Sequence, residues 1–149
     1  MSDKPIFDPE KIKMIDHKLL SGQIETPEEF MIENVIDFDV ENTLQMSFNL
    51  DKNLVKVDFS VIVKTKSERA NDHEAQGSYH FIYIYRIENI EALTKKSETN
   101  LTEVDARLAT ALSSISYSTS RGILLTRMQG TAFQHFILPI IDPGRLLKI

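Results

Sequence analysis

The chain has 149 residues, 42% hydrophobic and 26% charged, which is the size and composition of one globular domain over residues 1–149. It contains no cysteine, which excludes a disulfide framework and thiolate metal sites and fits a cytoplasmic setting. Net charge is −5 with no lysine or arginine cluster, so nucleic acid is not expected, and no stretch approaches the roughly 20 apolar residues that span a bilayer, so membrane insertion is not expected either.

The first ten residues, MSDKPIFDPE, are polar and acidic and do not read as a secretory signal. From Lys11 to Glu25, apolar Ile12 and Met14 alternate with Lys11 and Lys13, and the alternation stumbles at Ile15–Asp16. This predicts a strand with a bulge or break there. Pro27 interrupts the chain after it. Residues 34–50 form the clearest pattern. Ile36, Phe38, Val40, Leu44, Met46, Phe48 and Leu50 share even parity, and Asp37, Asp39 and Glu41 share odd parity. A long half-buried strand is predicted, with Asn42 the one polar break on its apolar side and a kink expected there.

Asp51-Lys52-Asn53 supplies turn chemistry, and residues 54–66 alternate again, with Val55, Val57, Phe59, Val61 and Val63 on one side. The two runs read as an antiparallel hairpin. A polar loop is expected over 67–77. The next strand, SYHFIYIYRIENI over 78–90, is apolar on both faces. Tyr79, Phe81, Tyr83 and Tyr85 share one parity and Ile82 and Ile84 the other. Because tyrosine suits a wet surface, the tyrosine side is assigned to a groove or subunit contact, and the isoleucine side to a covering helix.

Residues 91–101 read as a charged connection. A long helix is predicted over 102–130, with Thr102 as N-cap, Asp105 three residues on, and Gly130 ending it. Its apolar face is read as Val104, Leu108, Ala111, Leu112, Ile115, Thr119, Gly122, Ile123 and Thr126. The residues between Ala109 and Ser120 are nearly all small, which permits close approach of another helix or marks a bend. An extended segment with Pro139 and Pro143 follows, and RLLKI begins a final short turn or helix. The fold class expected is α+β: a four-stranded antiparallel meander sheet with one long helix and a short C-terminal helix on one face.

Catalytic chemistry finds little support. His17, His73, His80 and His135 lack metal-ligand spacing, no G-x-S-x-G elbow surrounds the serines, and the five glycines are scattered. Asp37 and Asp39, two apart on one strand face, are expected to form an acidic row facing water or a partner rather than a paired acid and base. The chain is therefore read as not an enzyme, with no cofactor and no metal.

The acidic alternation VIDFDVEN, the run YIYRIENI, the helical pair Tyr117 and Arg121, and RMQGTAFQHFILPIIDPGRLL together resemble the bacterial protein-export chaperone family SecB over residues 12–147. The resemblance implies a cytoplasmic holdase that takes unfolded or precursor polypeptides, or an antitoxin, in apolar grooves. It implies a homo-oligomer, a dimer of dimers. Tyr79, Phe81, Tyr83, Tyr85, Phe133 and Phe136 are the client-binding candidates. Asp37, Asp39 and Glu41 are the candidate partner-facing row, where the family's partner SecA can dock. Family members also carry zinc ligands in a C-terminal tail; without cysteine, SecA coupling through such a tail is not expected. The alternative is a non-catalytic oligomeric scaffold whose second apolar face is only a subunit interface.

Overall fold

A computed structural model describes residues 7–69, 73–96, 98–99 and 101–147. Four long strands carry the molecule: β1 (Ile12–Glu25), β2 (Val35–Asn49), β3 (Leu54–Ser67) and β4 (Gln76–Ile87). The alternating runs become strands where alternation predicts them. β3 shows why most plainly, since Val55, Val57, Phe59, Val61 and Val63 are all 0% exposed while Lys56, Lys64 and Lys66 point to solvent. The β2–β3 link is a 3₁₀ turn, Leu50–Lys52, followed by Asn53 at φ 58°. Asn49 Oδ1 accepts from Lys52 N at 3.3 Å, and the left-handed position falls to asparagine, which tolerates it.

All pairings are antiparallel, and the order across the sheet is β1-β4-β3-β2. The meander expectation holds from β2 to β4 and fails for β1, which lies beside β4 at the far edge. This is a Greek-key arrangement, with the first strand beside the last. The connection over 26–34 has the reach to cross three strand spacings, about 15 Å. Gly22 fits β1 to that position, because a Cβ there would stand 2.8 Å from Tyr79 Cε1. β1 breaks register between Met14 and Asp16, where the sequence stumbles, and again between Leu19 and Ser21. β2 continues through Asn42 without a break.

The stretch read as a charged connection contains structure of its own. A single helical turn, α1 (Ile90–Leu93), buries Ile90 and Leu93, and β5 (Thr94–Lys96) pairs with β6 (Thr102–Val104). That pairing takes Thr102 out of the helix. The long helix, α2, spans Ala106–Arg127 and is capped by Asp105, whose carboxylate accepts from Arg107 N at 2.8 Å. Gly130, at φ 75°, turns the chain away after it. The segment over 131–142 runs back across the sheet, and its end is a 3₁₀ turn, Pro143–Arg145. The expected C-terminal helix is therefore one turn among the described residues. Parts of the loop over 67–77 and of the terminal RLLKI lie outside them.

α2 and the returning segment cover one face of the sheet; that face is the core. The fold is α+β, a four-stranded antiparallel sheet with one long helix, as expected.

Candidate functional site

The tyrosines of β4 lie under the helix, the reverse of the sequence-based assignment. Tyr79, Phe81, Tyr83 and Tyr85 are 7, 1, 0 and 1% exposed. Register is the cause. Val61, Phe59, Val57 and Val55 pair with Tyr79, Phe81, Tyr83 and Tyr85, and directly opposed residues share a face. The tyrosines are thus bound to the valine face that α2 must cover. Ile82 and Ile84 pair with Asp58 and Lys56 on the open face, not beneath the helix.

The hydroxyls are accommodated by α2. Tyr83 Oη and Ser120 Oγ are 2.7 Å apart, and Tyr85 Oη and Ser116 Oγ 2.8 Å. The helix accordingly buries Ser113, Ser116 and Ser120 with Leu108, Leu112, Tyr117 and Leu124. Of the apolar face read from the sequence, Leu108 and Leu112 are buried, whereas Ile115 is 39% exposed and Gly122 is open to solvent. The small residues serve close approach of α2 to the aromatic sheet. Burial pushes the Tyr85 phenol up from 10.0 to about 12 against the opposing hydrogen bond with Ser116. Burial also raises Tyr83 and Tyr117, opposed by Ser120 and by Arg121 respectively.

Phe133 and Phe136 are 0 and 4% exposed and pack against Phe38, with centroid distances of 6.1 and 5.2 Å. They anchor the returning segment to β2. Tyr117 and Arg121 hold it from the helix side. Tyr117 Oη donates to Pro139 O at 2.5 Å, and Arg121 Nε donates to Leu138 O at 2.9 Å. Arg121 also lies over the Tyr117 ring at 5.2 Å. All six aromatic candidates are therefore core or anchor residues in this fold.

Asp37, Asp39 and Glu41 stand exposed on the open face of β2. Their cross-strand neighbours are Lys66, Lys64 and Ile62. The row is accessible, and lysines lie opposite two of its three members.

The apolar surface that remains open lies elsewhere. A groove of about 740 Å³ runs between β2 and the start of α2. Leu44, Met46 and Phe48 form one wall, Val104, Ala106 and Ala109 the other, and Leu147 an end. These β2 residues were legible as an apolar row but not as a groove, since period alone cannot say how far the helix extends over its strand. The groove follows an unpaired sheet edge, because β2 is the last strand. Further apolar side chains stand exposed: Met31 at 51%, Ile36 at 66%, Ile137 at 60% and Ile140 at 90%.

Other chemistry is sparse. His80 Nε2 lies 2.9 Å from Asp58 Oδ1 on the open sheet face, with Lys56 Nζ 3.6 Å from Asp58 Oδ2. No three of His, Cys, Asp and Glu gather to hold a metal ion among the described residues. No helix among them is long and apolar enough to cross a membrane.

Strand order β1-β4-β3-β2 with a long helix on one face defines a SecB-like α+β fold. The chain is similar in structure to the SecB-like chaperone Rv1957 of Mycobacterium tuberculosis, solved in complex with a ChAD peptide from the Rv1956 HigA1 antitoxin. The match covers 89% of this chain and 91% of that one, with a TM-score of 0.64 and 16% sequence identity. No protein-family model and no curated relative matches the sequence.

Proposed function

We propose that the protein is a holdase chaperone that binds extended, unfolded polypeptide in the groove between β2 and α2. The observation that carries this reading is the coincidence of an open apolar groove with an unpaired strand edge. An unfolded chain offers two things to bind: apolar side chains and unpaired backbone amides. The groove takes the first, and the β2 edge takes the second by strand addition. The two edges of the sheet differ in a way that suits this. β1 is interrupted by two register breaks, which blunt an edge against pairing. β2 pairs without irregularity from Asp37 to Asn49, leaving a long regular template. Binding is reversible, because shallow apolar contact of about 25 cal/mol per Å² must offset the ordering of a flexible client.

Clients are precursors awaiting export or an antitoxin of the kind whose peptide the structural neighbour was solved with. Met31, Ile36, Ile137 and Ile140, each exposed, offer further apolar contacts to longer clients. The row Asp37, Asp39 and Glu41 is the surface for a basic partner, SecA among the candidates. The chaperone works in the cytoplasm as a homo-oligomer, without catalysis and without a cofactor.

The test is light scattering from a denatured, slowly refolding client diluted into buffer with the protein. Suppression near equimolar oligomer is expected. Met46→Lys, at a half-buried position in the groove wall, weakens suppression while circular dichroism stays unchanged. Full aggregation in the presence of wild type overturns the reading and favours a scaffold without clients.

A further inference from the structure

The two register breaks in β1 change which of its residues face α2. Before the first, Met14 pairs with Tyr85 on the core side. Unbroken alternation would bring Asp16 and Lys18 to that side as well. The break between Met14 and Asp16 turns both outward, where they pair with Ile84 and Ile82. It turns His17 and Leu19 inward, against Tyr83 and Phe81. The break between Leu19 and Ser21 restores the first parity, with Gly22 against Tyr79. A pocket of about 240 Å³ lies between this part of β1 and the end of α2. His17 and Arg127 stand at it, Leu19 and Ile123 wall it, Phe81 and Tyr83 lie behind, and no acidic residue lines it. Asp16 is occupied elsewhere: it accepts from His17 N at 2.9 Å and lies 3.8 Å from Lys18 Nζ. Arg127 is in the last turn of α2, where the carbonyl dipole favours a cation. The carbonyls there nevertheless have other donors, Gln129 Nε2 on Leu125 O at 3.0 Å and Thr131 Oγ1 on Met128 O at 2.7 Å. The exposed side chains of Arg127 and His17 make no ion pair and no hydrogen bond among the described residues.

We propose that this pocket captures the C-terminal carboxylate and apolar last residue of a client polypeptide. The inference rests on the reading of the protein as a binder of unfolded chains and adds where a client's end is held. The Arg127 guanidinium donates to both oxygens of a carboxylate, and His17 adds a donor from the β1 side. Leu19 and Ile123, both half-buried, receive the last side chain. Size selects a single residue: the pocket has about a third of the volume of the β2–α2 groove, 240 against 740 Å³. The edge selects a chain end rather than a passing strand. Only Asp16–Leu19 keep continuous register between the two breaks, too short a run for strand addition. Charge selects the sign, because an unpaired guanidinium beside an imidazole favours an anion in a chain whose net charge of −5 otherwise repels one.

The experiment titrates the full, isotope-labelled chain with an acetylated peptide, Gly-Ser-Gly-Ser-Gly-Ser-Leu, as the free acid and as the C-terminal amide, and follows backbone amide shifts by NMR. Its polar body gives the apolar groove nothing to hold. The acid is expected to shift the amides of 17–19 and 123–127 and to bind about fivefold tighter than the amide, the upper range for an exposed ion pair. The gain shrinks as salt is added. Arg127→Gln is expected to abolish the difference while circular dichroism stays unchanged. Equal binding of acid and amide, no binding of either, shifts confined to 43–48, or an acid preference that survives in Arg127→Gln overturns the inference and leaves the groove reading standing. So does an amidated peptide with aspartate at its centre that binds as tightly as the acid, which makes the site one for acidic segments. Shifts at 17–19 that follow chain concentration without peptide place a second copy there and overturn it too. Failure of the holdase reading is separate and shows as full aggregation in the light-scattering test.

Discussion

Tyr83 and Tyr85 place phenol hydroxyls inside the core, and Ser120 and Ser116 make that tolerable. Removing one partner alone is then worse than removing both. Ser116→Ala leaves the Tyr85 hydroxyl buried and unpaired and is expected to cost about 1–3 kcal/mol. Tyr85→Phe combined with Ser116→Ala is expected to recover most of that loss. A double-mutant cycle in urea measures the coupling. The same burial makes stability fall in alkali. Unfolded tyrosine titrates near 10.0, and folded Tyr85 near about 12. Between those values the unfolded chain gives up a proton that the folded chain keeps, so ionisation draws the equilibrium toward unfolding. The stabilisation is complete below pH 10 and is lost as pH rises through the folded value. The urea midpoint is expected to drop between pH 10 and pH 12, and to drop less in Tyr85→Phe.

At the scale of elements, what the sequence makes legible is what depends on a single strand or turn. Alternation locates β2 and β3, the stumble at Ile15–Asp16 coincides with a register break, and Asn53 and Gly130 occupy the left-handed positions their types allow. What depends on a partner element is not legible. Thr102 and Asp105 are both good caps; pairing of β6 with β5 assigns the role to Asp105. The rotation of α2 follows the tyrosine hydroxyls rather than the apolar period, which is why Ile115 faces out and Ser116 in. Leu44, Met46 and Phe48 are plain as an apolar row, yet their role as groove wall is set by where α2 begins. Asp105→Ala is accordingly expected to destabilise by about 1 kcal/mol, the usual loss of a helix cap. The hydrogen bond from the Arg107 side chain holds the Asp105 carboxyl below its ordinary range, so this contribution is present at neutral pH and fades in acid. Arg121→Ala frees the Leu138 carbonyl and leaves Pro139 held by Tyr117 alone, and limited proteolysis is expected to cut the 137–141 segment first, with the sheet remaining folded.

For the whole molecule, the question is which of its uncovered apolar surfaces takes a second copy and which takes a client. The outward side of α2 presents Ala111, Ile115, Ser118, Gly122 and Leu125 along one stripe, with Ile115 39% and Leu125 38% exposed. A Cβ added at Gly122 meets nothing within 4 Å, so glycine is not required there by the chain's own packing. Glycine inside an exposed helix costs about 0.5–1 kcal/mol relative to alanine. If the stripe faces solvent, enlarging this position carries no penalty beyond the helix's own preferences. If α2 packs against α2 of another copy, as the homo-oligomer proposal has it, the missing side chain is room for the approaching helix. Two substitutions separate these cases. Gly122→Ala is expected to raise thermal stability if the stripe faces solvent and to lower it if a second helix fills that room. Gly122→Glu sets a charge and bulk on the stripe, and is expected to reduce the native mass from a multiple of the chain to a single chain while the circular dichroism spectrum is kept. An unchanged oligomer in Gly122→Glu removes α2 from the interface and leaves the edges of the sheet to account for assembly. A β2 edge consumed by assembly would close the groove, so the same measurement, joined to peptide binding, shows whether assembly and client use separate sides of the molecule.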